Sequence, residues 1–488
     1  MIFVKYNYAW FLNCFFISFS VSFCLYLSQI MSDDLLQKVV ALCKRKGFIY
    51  PSSEIYGGMA NTYDYGPYGA ALKENVRNLW WSKFITQRED IYGIDSSIIV
   101  NPKVWEASGH VACFGDVLVD DKENRKRYRA DHLIEEYFAA KGEERVVDGM
   151  TPEQLQEIID KEGIKSLDGN ELTNARKFSL LFKTEVGVIE GEGSTTYLRG
   201  EIAQGLFINF KNVMDSIHPK LPFGIGQAGK AFRNEITKGQ FTFRTLEFDL
   251  MEFEYFFDPE NDDWNELFEY WKAQINEFAN EVGLDQSKLR WRAQADEELA
   301  HYSKRTEDLE YEFPWGFKEM FACAYRTDHD LHNHIEASGQ SMNYVYPDGK
   351  KVVPHVIEPT FGLSRLITIL LCDAYREDEM DGETRIFLAL DPKIAPVKLA
   401  VLPLVKKNEE IVGKAREIFE NFRTKFAVEY DETGSVGKRY RKQDEIGTPY
   451  CVTVDFDTLE DDAVTVRHRD TGEQVRVPIA ELDSFLKL

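Results

Sequence analysis

Phe232-Arg233-Asn234-Glu235, a turn through Lys238-Gly239-Gln240, and Phe243-Arg244-Thr245-Leu246-Glu247-Phe248-Asp249-Leu250-Met251-Glu252 decide how this chain is read. The natural reading is strand, loop, strand. Arg233 and Glu235 are two apart, so both side chains are expected to leave the same face of the first strand. A guanidinium is a planar cation suited to phosphate or carboxylate, and a glutamate can accept from an exocyclic amine. Across the hairpin, Phe248 offers a stacking surface and Arg244 a second cation. Together they could hold a nucleotide bent over a sheet. Taken alone, an Arg-x-Glu more often belongs to an ordinary hairpin with surface ion pairs.

It does not stand alone. Glu358-Pro359-Thr360-Phe361-Gly362-Leu363-Ser364-Arg365 runs directly into Leu366, Ile367, Leu370 and Leu371, an apolar helix. Gly362 permits close packing, and Arg365 falls in the first helical turn, where the helix field favours phosphate. The competing reading is a buried helix whose arginine is simply partnered.

Outward from these stretches, 488 residues are too many for one core and predict two or three domains. A hydrophobic content of 44%, with 29% charged, excludes disordered, collagenous and disulfide-scaffold chains. The net charge of -24 excludes a generally basic coat, so a polyanion would need a local patch. Seven scattered cysteines without a C-x-x-C point to a reducing compartment and give no disulfide framework. Residues 1–30 form an uncharged, aromatic-rich leader after Lys5 that resembles a signal anchor. It lacks a small-residue cleavage site and ends at Met31 before an acidic soluble sequence, so translation is expected to begin at Met31.

A charged, Gly-punctuated insertion is expected over about 117–180, with a helix opened by the capping box Thr151-Pro152-Glu153-Gln154. Leu267, Trp271, Ile275, Phe278 and Val282 recur at helical spacing and read as core. Asp391-Pro392 through Pro396 break the chain. Beyond lies a small α/β domain, with a strand at 399–404, a helix carrying Ile411, Ala415, Phe419, Phe422 and Phe426, and strands at 450–456, 463–469 and 474–479. Its 15 basic and 18 acidic side chains make it far less acidic than the rest. The run Lys438-Arg439-Tyr440-Arg441-Lys442 within it suggests phosphate contact with base stacking; a solvated helix start is the commoner fate of such runs. His329, His332 and His334 have spacings that suit no helical metal-ligand pair.

The hairpin and helix segments resemble motifs 2 and 3 of the class II aminoacyl-tRNA synthetases. Ile55-Tyr56-Gly57-Gly58, Thr62-Tyr63-Asp64-Tyr65-Gly66-Pro67, residues 101–110 from Asn101-Pro102 to Gly109-His110, Tyr128-Arg129-Ala130-Asp131-His132 and Gly437-Lys438-Arg439-Tyr440-Arg441 narrow the likeness to the homodimeric glycyl-tRNA synthetases, from about Leu35 to the C-terminus. The resemblance implies an α+β fold: an antiparallel catalytic sheet flanked by helices over residues 31–394, with the inserted lobe, and an α/β anticodon-binding domain over 395–488. It implies a cytoplasmic homodimer acting on ATP, glycine and tRNA(Gly), with Mg2+ accompanying ATP, no zinc and no stable membrane association.

Carried over by position, the resemblance gives Arg233 the α-phosphate and activated carboxylate, Glu235 the adenine N6, Phe248 the adenine face and Arg365 the γ-phosphate, with Arg233 and Arg365 catalytic. Asn234, Phe243, Arg244, Thr245, Leu246, Glu247, Glu319, Met320, Gly362, Leu363 and Ser364 complete the ATP set, and Glu319 is the magnesium candidate. Glu201, Glu252 and Glu358 would surround the substrate ammonium, with Phe248, Asp249, Leu250, Met251, Pro359, Thr360, Phe361 and Gly362 around the α-carbon. Arg127 is the favoured arginine from the insertion, and Arg129 stays open. Lys438, Arg439, Arg441 and Lys442 would contact tRNA. Trp80-Trp81 and the strand towards Pro102 correspond to the dimer-forming motif 1. Thr360 stands where the family usually has serine, and Gly200 replaces a frequent proline. Two rivals are a non-catalytic accessory subunit that clamps nucleic acid and another class II synthetase such as a prolyl or threonyl enzyme. Retention of the ATP set opposes the first, and the three glutamates oppose the second.

Overall fold

A computed structural model describes residues 34–486 apart from 144, 146, 148–149, 188–193, 236–240, 297–298, 301, 314–315 and 381. The leader, Met31 and the turn through Lys238-Gly239-Gln240 lie outside the described residues.

The largest sheet has seven strands: β1 (Ile91–Gly93), β2 (Phe223–Phe232), β3 (Glu247–Phe257), β4 (Leu289–Ala293), β5 (Arg305–Phe313), β6 (Gly316–Thr327) and β7 (His355–Gly362). Their order across the sheet is β4-β5-β6-β7-β3-β2-β1, antiparallel except where β1 runs parallel to β2. Because side chains alternate across a strand, the register settles which residues share a face. Glu252 stands opposite Thr360 and Gln227, Leu250 opposite Gly362, and Ala324 opposite Glu358. These residues make one face. The intervening Met251, Phe253, Phe321, Ile357 and Phe361 point the other way into the main core.

That core is covered by three helices, α1 (Pro67–Trp81), α3 (Trp264–Glu281) and α5 (Leu363–Ala374), while α2 (Ala203–Ile217) and α4 (His329–Ser338) belong to a second cluster. Proline in the first turn starts α1, which buries Leu72, Val76 and Trp80. The Asp263 side chain caps α3 by accepting from the N–H groups of Asn265 and Glu266, and its stripe buries Phe268, Trp271, Ile275 and Phe278. Each such aromatic contributes about 1.5–3 kcal/mol by leaving water.

Gly115–Asp120, Arg127–Arg129 and Arg176–Ser179 form a three-stranded sheet with its own small cluster around Leu133, Ile134, Leu155 and Ile159. The capping box is present: Thr151 accepts from the Gln154 N–H while the Gln154 side chain accepts from the Thr151 N–H. The C-terminal part comprises β8 (Leu399–Pro403), α6 (Glu409–Phe422), β9 (Val428–Tyr430), α7 (Val436–Ile446), β10 (Tyr450–Val454), β11 (Ala463–His468) and β12 (Gln474–Pro478). Phe426, expected in the α6 stripe, lies past the helix end and packs on the same core from the following turn. The sheet order is β9-β8-β10-β11-β12, with the first three strands parallel and the last two antiparallel. The α+β class expected from sequence is present.

Candidate active site

The face of the large sheet that turns away from the main core carries a cavity of about 360 Å³ lined by residues of both sequence segments, including Arg233, Glu235, Arg244, Phe248, Glu319 and Arg365, with Glu201, Glu252 and Glu358 at its acidic end. Strand β2 stops at Phe232, so Arg233 and Glu235 stand just past the strand end rather than on its face. Arg233 is fixed by its Nε donating to the Gly200 carbonyl at 3.0 Å. Its guanidinium lies 5.1 Å from the Phe114 ring centroid and 5.3 Å from that of Phe248. Glu235 pairs with Arg244 at 3.3 Å. Glu235 Oε2 and Arg244 Nε are nonetheless buried without a hydrogen-bond partner among the described residues, so donor and acceptor capacity remains at this end of the cavity.

At the other end Arg365 Nη1 holds Glu319 Oε1 at 2.9 Å, and the guanidinium sits 5.0 Å from the Phe243 ring centroid. A Cβ on Gly362 would approach the Met320 carbonyl oxygen to 3.3 Å and Arg365 Cβ to 3.5 Å, so glycine lets β7 turn closely into α5. Desolvation works to raise the Glu319 pKa. The cations of Arg365, then Arg233 and Arg244, outweigh it and hold the carboxyl below its ordinary range. Two guanidiniums from segments 132 positions apart therefore act on one carboxylate. Nearby Asp308, hydrogen-bonded to Gln294, is pushed up to about 6 by burial and the charge of Glu319.

The acidic end is organised around Arg326, which is fully buried. Its Nη1 reaches both Glu358 oxygens at 3.0 Å, and its Nε and Nη2 reach Asp330 at 2.8 and 3.0 Å. Glu201 is 3.9 Å from Arg326 and accepts from Gln204 Nε2 at 3.2 Å; His110 Nε2 lies 3.2 Å from its other oxygen. Burial raises the Glu201 pKa, but His110 and Arg326 bring it well below the usual carboxylate range. Sequence reasoning assigned no role to Arg326, His110, Asp330 or Gln204. Arg326 stands at a strand end and Asp330 in the following helix, so their spacing of four follows no single-element periodicity and gave no local signal.

Among the expected residues, Phe243, Thr245, Asp249, Leu250, Met320, Thr360, Gly362 and Ser364 also line the cavity. Met251, Phe361 and Leu363 do not: strand alternation or helix phase sends them into the core. Asn234, Leu246, Glu247 and Pro359 also fall outside the lining. Leu246 offers its carbonyl to the Arg233 N–H, the Asn234 N–H bonds Leu180, and Glu247 pairs with Lys230 on the surface. The Asp249 carboxylate is held by Lys73 at 2.9 Å. Arg127 is also outside the lining, bonded to Asp120 at 2.7 Å across the inserted sheet. Arg129 pairs with Asp131 and Asp116, and Asp116 feels the charges of Glu235 and Arg244, so Arg129 is the one nearer the cavity.

The domain family described as an anticodon binding domain matches residues 398–487. The glycine–tRNA ligase of Caldanaerobacter subterraneus subsp. tengcongensis is 50% identical over 455 residues, covering 93% of this chain and 98% of that protein. The chain belongs to the glycine–tRNA ligase family. The Clostridium acetobutylicum ligase is 51% identical over 463 residues, 94% of this chain and 99% of its own, and the Staphylococcus aureus ligase 49% over 465 residues, at 93% and 99%.

Within the part matched to the anticodon binding domain, the basic run needs correction. Arg439 is buried and donates to the Pro403 carbonyl at 2.7 Å and the Asp431 carbonyl at 3.0 Å, so it anchors α7 rather than facing a phosphate. Tyr440 packs inward with its hydroxyl on Thr453, which removes it as a stacking platform. A helix turns successive side chains by about 100°, so five consecutive residues cannot share one face. Lys438 and Lys442 are exposed, Lys442 with Asp431 at 3.1 Å, while Arg441 reaches the carbonyls of Thr384 and Met380. His329, His332 and His334 diverge: His334 meets Gln204, His332 meets Glu336 and His329 meets Asn333. Among the described residues no helix is long and apolar enough to cross a membrane.

Proposed function

We propose that the chain is a class II, homodimeric, cytoplasmic glycine–tRNA ligase that condenses glycine with ATP to glycyl-adenylate and transfers the glycyl group to the 3′ end of tRNA(Gly). The catalytic domain would span 31–394, with its insertion at about 117–180, and the anticodon-binding domain 395–488. The observation that carries the reading is the placement of Arg233 and Arg365 around one cavity whose far end is acidic.

The substrate carboxylate attacks the α-phosphorus and displaces pyrophosphate; the ribose hydroxyl of tRNA then attacks the mixed anhydride and releases AMP. No side chain needs to become a nucleophile, so catalysis rests on positioning and charge stabilisation. Arg233 would neutralise charge growing on the α-phosphate, and Arg365 would fix the far end of a bent triphosphate. Phe248 and the Glu235–Arg244 pair would hold the adenine. Glu319, ionised and half exposed, is the oxygen ligand suited to Mg2+, which when bound screens phosphate charge. Glu201, Glu252 and Glu358 would receive the ammonium. The β-carbon of a larger amino acid would meet the Thr360 and Ala322 side, where exclusion rather than attraction must discriminate, since one methylene adds only about 1–3 kcal/mol of binding.

Amino-acid-dependent ATP–pyrophosphate exchange, run with each amino acid separately, tests this reading. Glycine alone should support exchange, and Arg233→Ala should abolish it with folding intact. Exchange driven by proline or threonine, or by none, would favour the rival synthetase or the accessory clamp.

A further inference from the structure

Beyond the three cage glutamates, a fourth carboxyl is buried at the same place. Glu252 and Glu254 leave the same face of β3, and the register that sets Glu252 against Thr360 and Tyr255 against Ile357 puts Glu254 directly across from Glu358. Carboxylate oxygens of Glu252, Glu254 and Glu358 lie within 4.8 Å of one another. Like charges directly opposed on adjacent strands repel. Glu254 is completely buried and lies outside the cavity lining, and among the described residues neither of its oxygens has a hydrogen-bond partner, nor does Glu252 Oε1.

The surrounding charges do not balance five anions. Glu252 and Glu254 on β3, Glu358 on β7, Asp330 on α4 and Glu201 before α2 face Arg326 at the end of β6, Arg199 and His110, with the phenol of Tyr302 against Arg326. Arg326 is committed to Glu358 and Asp330, and His110 to Glu201. Arg199 donates from Nε to the Lys230 carbonyl and from Nη1 to the Ser96 carbonyl. Among the described residues no cation is hydrogen-bonded to Glu252 or Glu254, and a buried carboxylate without a paired cation takes up a proton. Burial, then the neighbouring carboxylates, push both groups upward.

We infer that glycine binding is proton-linked: Glu252 is the neutral acid in the empty site and gives up its proton when the substrate ammonium arrives, while Glu254 stays neutral behind it. The balance is one positive charge in and one proton out. Glu254 as a permanent neutral acid keeps its neighbours from accumulating a further negative charge. This inference rests on the functional reading above, since it assumes that glycine occupies the acidic end.

Calorimetry in two buffers of different ionisation enthalpy counts the proton. The probes are a non-hydrolysable glycyl-adenylate analogue, which carries the ammonium, and a non-hydrolysable ATP analogue, which does not. At neutral pH the glycyl analogue should release about one proton more than the ATP analogue. Glu252→Gln should bring the release for the glycyl analogue close to zero. Glu254→Gln should leave the proton count unaltered, and a fall there would move the released proton to Glu254 and overturn the assignment. As a second measurement in the wild type, the KM for glycine should fall about tenfold per pH unit on the acid side, with the KM for ATP flat. Failure of the glycyl analogue to bind would sink the functional reading; tight binding with no proton released would sink only the proton linkage.

Discussion

At the scale of single residues the molecule places cations and anions by different rules. Arg233 and Arg365 line the cavity beside aromatic rings, whereas Arg326 is wholly enclosed and bonded to Asp330 and Glu358. Truncating a buried cation strands its partners, so Arg326→Met should lower stability by about 3–5 kcal/mol, read from urea denaturation, and raise the KM for glycine. An unchanged urea midpoint would contradict the central place given to Arg326. Glu254 makes a pH prediction whose sign is fixed by its raised pKa. Below the ordinary value of 4.5 the acid is protonated in both states; above it the unfolded chain ionises and the buried group does not. The folded state therefore loses about 1.4 kcal/mol per pH unit until the raised pKa is reached. Glu254→Gln removes this cost, so its stability relative to wild type should increase as pH rises above the ordinary carboxyl range. A difference independent of pH would mean that Glu254 is charged.

At the scale of elements, most of the architecture was legible. The α3 stripe, the Thr151 capping box and the strand–helix alternation after Pro396 all carry periodic or capping signals, and each element formed where those signals lie. Individual site contacts were less legible, for a physical reason. A family motif supplies a run of residues, but a strand shows alternate members to opposite faces and a helix distributes them around its axis. Met251, Phe361 and Leu363 were thereby lost to the core, and Arg439 and Tyr440 to the inside of α7. The acidic end depends on a register between distant strands and on Arg326, which no local spacing announces as a buried hub. The distinction within α7 is measurable. Lys438→Ala should weaken tRNA binding with little change in stability and make the salt dependence shallower by about 0.7–0.9 in log–log slope. Arg439→Ala should instead cost about 1–3 kcal/mol by leaving buried carbonyls unpaired. Equal loss of tRNA affinity without destabilisation in Arg439→Ala would reverse that assignment.

At the scale of the whole molecule, the α/β part is tied to the rest by buried charge. Arg385, on the strand Glu383–Leu388, is almost fully enclosed and reaches Asp378 at 2.5 Å, the Arg469 carbonyl at 2.6 Å and Asp444 of α7 at 3.5 Å. Gln443 of α7 holds Glu429, which in turn receives the Tyr68 hydroxyl from α1. These contacts orient the tail without touching the cavity. Arg385→Leu should therefore reduce tRNA charging while leaving glycine-dependent pyrophosphate exchange within about twofold of wild type; a matched loss of both would show that the contact supports the catalytic sheet itself.

The central claim is that one cavity folds a triphosphate between two arginines and seats an amino acid against carboxylates at its other end. A crystal structure with glycine and a non-hydrolysable ATP analogue measures this most directly. The account predicts ATP bent, with Arg233 bonded to the α-phosphate, Arg365 to the γ-phosphate and the glycine ammonium among Glu201, Glu252 and Glu358. An extended nucleotide whose γ-phosphate lies away from Arg365, or an ammonium remote from all three glutamates, would contradict it.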